Sequence, residues 1–182
     1  MSATSRKKVG DPTELYTINL TELLIDGNEN AFREFLANLF AAERVMAALR
    51  QYTSGAAGLT PRQYAVLFAV SQRSSPPTVR EIADHLQVAA PNVTADLGTL
   101  EKLGLIAKGR HPTDQRALQI KLTRSGTALV LSNLPLMRSV NGALFDTLSA
   151  NDMKMVTRVM NAIARGGTKY LNDRKLDGPA EP

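Results

Sequence analysis

The chain has 182 residues, a formal net charge of +5 and no cysteine, which removes disulfides, thiolate metal sites, cysteine nucleophiles and thiol-based redox sensing together. No apolar run approaches the roughly 18 residues of a membrane-spanning helix, and the basic residues at the start of the chain have no apolar stretch behind them. No membrane span and no signal peptide are therefore read, and a cytoplasmic protein with one core, buried without covalent staples, is expected.

Residues 1–12 are polar, close on Gly10-Asp11-Pro12 and read as a disordered arm. Ile18, Leu20, Leu23, Leu24 and Ile25 then form a short apolar patch that suggests a docking helix, broken by Asp26-Gly27-Asn28. From about Glu29 to Tyr52, the residues Phe32, Phe35, Leu36, Leu39, Phe40, Met46 and Leu49 recur at helical spacing. One long amphipathic helix is predicted there, ended by the stretch 53–58. Thr60-Pro61 opens the next helix, with the threonine as N-cap and the proline at the first position, where its missing N–H costs nothing. Thr78-Val79-Arg80-Glu81 has the spacing of a capping box and starts a helix to about His85. After Gln87-Val88-Ala89, a further helix is predicted from about Ala90 to Leu103, with Val93, Leu97 and Leu100 inward and Gly104 as its stop. Two period-two segments, 105–111 and 116–122, flank a turn and read as a β-hairpin. Thr123 caps another long helix to about Phe145 that contains Pro135, where a kink is expected. A last helix begins near Ser149, with Met153, Val156, Val159, Met160 and Ile163 turned inward and Gly166-Gly167 weakening it.

Most of the net charge sits in the middle of the chain: residues 59–130 hold nine Lys and Arg against five Asp and Glu. A local basic excess suits a polyanionic partner, although solvated surface can carry the same charge. The order of elements adds to it. Two short helices joined by a tight turn form a helix-turn-helix, whose second helix can enter the major groove of DNA. With Val93, Leu97 and Leu100 inward, helical geometry turns Pro91, Thr94, Ala95, Gly98 and Lys102 outward, with Asn92 and Thr99 on the flank. That face is small and polar. Asn92 and Thr94 can bond base edges or phosphates, Lys102 can reach a phosphate, and Thr78 at the start of the preceding helix completes the DNA-facing set. Lys108, Arg110, His111 and Arg116 concentrate in and beside the hairpin turn, where they can follow the backbone or enter a minor groove. Asp114, two residues before Arg116, can hold that guanidinium by its carboxylate.

Residues 59–126 resemble the DNA-binding core of the MarR family of winged helix-turn-helix regulators. The likeness is carried by Leu59-Thr-Pro-Arg-Gln63, Val79-Arg-Glu-Ile-Ala83, Leu86-Gln-Val88, Val93-Thr94, Leu100-Glu-Lys-Leu-Gly-Leu-Ile106, Asp114-Gln-Arg116 and Leu122-Thr-Arg-Ser-Gly126. The resemblance implies a mainly α fold with a small β-hairpin wing, in which long helices from both termini interleave into a homodimer. It divides the chain into an arm (1–12), N-terminal dimerisation helices (13–58), a winged helix-turn-helix (59–122), C-terminal dimerisation helices (123–172) and a tail (173–182). It implies that Asp114 and Arg116 form the wing motif that approaches the minor groove of double-stranded DNA. It also implies a repressor that a small aromatic or anionic effector releases, with Phe35, Met46, Tyr64 and Phe68 as candidate pocket residues; such a stripe also suits an ordinary core.

Three positions depart from the family pattern. Ala89-Ala90 stand where Ser or Thr often caps the recognition helix, Ala95 stands where an arginine often follows Val-Thr, and Gln115 replaces the middle arginine of the wing motif. These changes shift weight from base contacts towards backbone and shape readout. No enzyme is read. His85 and His111 lack metal-ligand spacing to each other or to carboxylates, no Gly-rich phosphate loop or nucleophile elbow occurs, and no cofactor is called for. The alternative from another class is a winged-helix module for protein contact, which would favour an exposed apolar recognition face or an acidic wing.

Overall fold

A computed structural model describes residues 16–110 and 118–173. The arm 1–12, the tail from 174 onward and the wing tip with His111, Asp114 and Arg116 lie outside the described residues. The chain divides into two compact units, Met1–Leu134 and Pro135–Pro182.

The first unit is built on α1 (Asn30–Ala56), α2 (Pro61–Ser71), α3 (Val79–Leu86), α4 (Ala90–Lys102), the hairpin β1 (Ile106–Arg110) and β2 (Leu118–Leu122), and the first half of α5 (Arg124–Phe145). Helix α2 is its centre, packed against α1, α3, α4 and β2. Its residues Tyr64 and Val66 to Val70 are buried on nearly every side, so the apolar content of this short helix is high rather than striped. Leu67, Ile82, Val93, Leu97, Leu100 and Ile120 are fully enclosed. Each such side chain contributes on the order of 1.5–3 kcal/mol by leaving water.

The helix starts follow from capping chemistry. The Thr60 hydroxyl accepts from the Gln63 N–H, and the Gln63 side chain accepts in return from the Thr60 N–H. Thr78 and Glu81 form the same reciprocal pair at α3. Gln87 adopts a left-handed conformation (φ 54°) and closes the turn from α3 to α4. Gly104 at φ 68° ends α4. In the antiparallel wing, Ile106 faces Leu122, Lys108 faces Ile120 and Arg110 faces Leu118. On its other side β2 bridges Thr78 through Gln119, and the Ile120 N–H donates to the Pro77 carbonyl at 2.9 Å. The wing base is thereby tied to the start of α3. At the other end, Thr123 donates its hydroxyl to the Gly104 carbonyl (2.6 Å) and its N–H to the Leu105 carbonyl (3.1 Å). Gly126 lies so close to that Leu105 carbonyl that a Cβ would collide with it.

Two expectations are corrected. The patch 18–25 forms no docking helix, only a single 3₁₀ turn at Thr21–Leu23, with Leu20, Leu23 and Ile25 exposed in the single chain. So short a segment cannot offset helix nucleation, and polar contacts hold it instead. The Thr17 N–H donates to the buried Glu29 carboxylate at 2.7 Å, and Tyr16 donates to the Gly27 carbonyl. The stretch 53–58 does not end α1 as a block. Thr53 and Ser54 return their hydroxyls to the carbonyls of Leu49 and Gln51, staying helical, and the chain leaves the helix only at Gly58, φ 67°. The last helix runs on through Gly166-Gly167 to Asp173.

The second unit comprises the rest of α5 from Pro135 and α6 (Ala150–Asp173). A Ser149–Asp152 pair caps α6: the Asp152 N–H donates to the serine hydroxyl (3.2 Å) and the Ser149 N–H to the aspartate (2.9 Å). The Ser149 hydroxyl, which donates to the Asp152 carboxylate at 2.6 Å, and then the Ser149 N–H hold that carboxyl below its usual range. No residue of α6 is buried, and its apolar side, Met153, Val156, Met160 and Ile163, is open in the single chain.

Candidate nucleic-acid interface

Helix α4 presents two chemically distinct sides. Val93, Leu97 and Leu100 are fully buried against α2, α3 and β1. Pro91, Asn92, Thr94, Ala95, Thr99 and Lys102 are all exposed, and Gly98 is half-exposed. The outward face is therefore composed as helical spacing predicts. Ala89 is the N-cap, in extended conformation and with no side-chain cap bond, so the N–H groups of the first turn remain without a side-chain acceptor. Thr94 donates its hydroxyl to the Ala90 carbonyl (3.0 Å), and Thr99 donates to Ala95 (3.4 Å). Each hydroxyl oxygen is left as an acceptor, suited to an amino group on a base edge.

Two candidate residues are engaged within the fold. Thr78 spends its hydroxyl on the capping box, accepting from the Glu81 N–H and donating to its carboxylate at 2.9 Å. Lys108 is half-buried and its ammonium donates to Glu101 on α4 at 2.7 Å, so it pins β1 to the last turn of the recognition helix. Arg110 ends β1 opposite Leu118, at the point where the described part of the wing stops.

An ion pair between α2 and α4 escaped the sequence reading. The Arg62 guanidinium donates from Nε to Asp96 Oδ2 (3.1 Å) and from Nη2 to Asp96 Oδ1 (3.2 Å). The Asp96 hydrogen bond, and secondarily its charge, raise the arginine pKa further. Asp96 is 10% exposed and Arg62 63% exposed. The partners are 34 residues apart, so no local pattern announces the pair. The available signal was a carboxylate among Val93, Leu97 and Leu100, because an inward-turned charge requires a partner.

The four candidate pocket residues are not gathered at one place. The Tyr64 and Phe68 rings touch with centroids 4.4 Å apart, and both are buried. Tyr64 donates its hydroxyl to Asn133 Oδ1 on α5, and burial raises its pKa, against a hydrogen bond with Thr53 that lowers it. Phe35 is exposed and Met46 half-buried; 11 positions apart on α1, they are separated by roughly 16 Å along the axis. Among the described residues no cluster of acidic or histidine side chains could hold a metal ion, and no helix is long and apolar enough to cross a membrane.

Comparison with known proteins gives a consistent result. The model of the MarR family matches residues 57–117. The chain is 32% identical over 102 residues to the transcriptional activatory protein BadR of Rhodopseudomonas palustris, an alignment covering 54% of this chain and 58% of BadR. It is 30% identical over 112 residues to the transcriptional regulator HosA of Escherichia coli O111:H-, covering 57% of this chain and 79% of HosA. Among solved structures, CouR of Rhodococcus jostii RHA1 bound to p-coumaroyl-CoA superposes with a TM-score of 0.63 at 19% identity, over 71% of this chain and 91% of CouR. The M. tuberculosis regulator MosR in complex with DNA superposes with a TM-score of 0.58 at 22% identity, over 74% and 96% of the two chains. Both likenesses are of fold.

Proposed function

The chain belongs to the MarR family of transcription regulators, and on that premise we propose that it is a sequence-specific double-stranded-DNA-binding repressor acting as a homodimer in the cytoplasm. The observation that carries the reading is the exposed, small and polar face of α4, with Pro91, Asn92, Thr94, Ala95, Thr99 and Lys102 on one side of a helix whose other side is locked into the core. A face without bulky side chains lets a base-pair edge approach closely. Two copies would set their α4 helices in successive major grooves about 34 Å apart, on a pseudo-palindromic site. Arg110, His111 and Arg116, with Asp114 orienting Arg116, would follow the flanking backbone and minor groove. The DNA-bound neighbour MosR supports this placement.

Release by a small aromatic or anionic molecule is part of the same reading, supported by the ligand-bound neighbour CouR. The reading assigns the protein no catalysis and no cofactor. Fluorescence anisotropy with duplexes from the region upstream of its gene, against scrambled competitor and across a salt series, tests it. Tight, competitor-resistant and salt-sensitive binding is expected, with Asn92→Ala and Thr94→Ala altering sequence preference more than overall affinity. No binding even at low salt would favour a protein-contact module instead.

A further inference from the structure

We propose that Arg62, held by Asp96, is a DNA-backbone contact, which makes the first turn of α2 part of the interface beside the recognition helix; this rests on the DNA-binding reading above. A guanidinium has five N–H donors. Asp96 takes two of them, one from Nε and one from Nη2, and leaves three on a side chain that is 63% exposed. Asp96 itself is 10% exposed, so the carboxylate turns inward and the cation outward. Helical spacing puts Asn92, Asp96 and Thr99 on one flank of α4. Asn92 and Thr99 are exposed, and Arg62 therefore stands at the margin of the reading face.

Electrostatics explain why an acidic residue sits there. A bare carboxylate on a helix that approaches a polyanion would oppose binding, and a buried one without a partner would destabilise the fold. Bidentate pairing removes both penalties and fixes the plane of the guanidinium. A fixed fork loses less freedom when it meets a phosphate than a free lysine does. Lys108, also paired with a carboxylate, cannot fill this role in the same way, because its side chain is only 25% exposed and Glu101 draws it against α4.

The test compares Arg62→Gln, Arg62→Ala and Asp96→Asn in anisotropy salt series on an operator duplex and a scrambled one, with melting temperatures alongside. All three break the charge pair, so a merely structural staple would lower their melting temperatures and leave the salt dependence alone. The expected result is that both Arg62 variants lose about 0.9 from the slope of log K against log salt on both duplexes, while Asp96→Asn, which keeps the cation, does not. Unchanged slopes in the Arg62 variants, or an equal loss in Asp96→Asn, would overturn the proposal while leaving wild-type DNA binding intact. Failure of the wild-type protein to bind either duplex would instead remove the underlying reading, and this inference with it.

Discussion

Glu29 shows how a single buried charge can organise a segment whose apolar side chains stay largely exposed in the single chain. It is 1% exposed, accepts from the Thr17 N–H, and receives the Arg33 guanidinium one turn along α1. Burial alone would raise its pKa, but the Arg33 hydrogen bond, the bonds from the Thr17 and Ile18 backbone and the Arg33 charge together bring it below the ordinary 4.5. A carboxylate depressed in the folded state contributes stability that is present above its unfolded pKa and is lost as pH falls through the folded one. Melting temperature should therefore decline below about pH 4.5 in the wild-type protein. Glu29→Gln should start lower at neutral pH and show a shallower acid decline; parallel curves for the two proteins would show that Glu29 is not the group responsible. At the same scale, Tyr64 and Asn133 join α2 to α5 through a buried hydrogen bond whose partners are 69 residues apart. No sequence window contains both.

The elements were legible where the chemistry is local. Capping at Thr60, Thr78, Thr123 and Ser149, the left-handed stop at Gly104 and the alternating strands of the wing are properties of a few consecutive residues. The missing cap of α4 was legible in the same way, and it makes a prediction. Ala89 has φ −66° and ψ 136°, the extended geometry of an N-cap, but no side chain to accept from the helix. Ala89→Ser should supply that acceptor and stabilise the protein by about 1 kcal/mol, seen in a denaturant titration as a higher midpoint at unchanged slope. A lower midpoint would mean that the exposed first-turn N–H groups already have a better partner than a serine hydroxyl. The end of α1 was placed too early because Thr53, Ser54 and Gly55 are poor helix formers, yet all three lie within a helix that its length and packing sustain.

For the whole molecule the open question in a single chain is apolar surface. Leu20, Leu23, Ile25, Phe40, Val45 and Tyr52 are exposed in the first unit, and Met153, Val156, Met160, Ile163, Tyr170 and Leu171 in the second. Met153, Val156, Met160 and Ile163 recur at intervals of three and four residues, the spacing of a helix face that needs a partner. A second copy of the chain is the occupant that the homodimer reading requires. Sedimentation equilibrium should give twice the chain mass, and Met160→Asp together with Ile163→Asp should shift the protein towards monomer and weaken operator binding. A monomeric wild-type protein that still binds its operator tightly would contradict the dimeric mechanism.

By itself the sequence determined the order of the helices, the wing, the caps and the outward face of α4, because each depends on periodicity or on hydrogen bonds spanning three or four residues. Tertiary structure alone decided which charges are paired across elements. Lys108 reads as an available cation until Glu101 is seen beside it, and Arg62 reads as helix surface until Asp96 orients it. The reason is physical: a local pattern specifies which side of an element is turned inward, whereas the partner of a charge depends on which other element packs there.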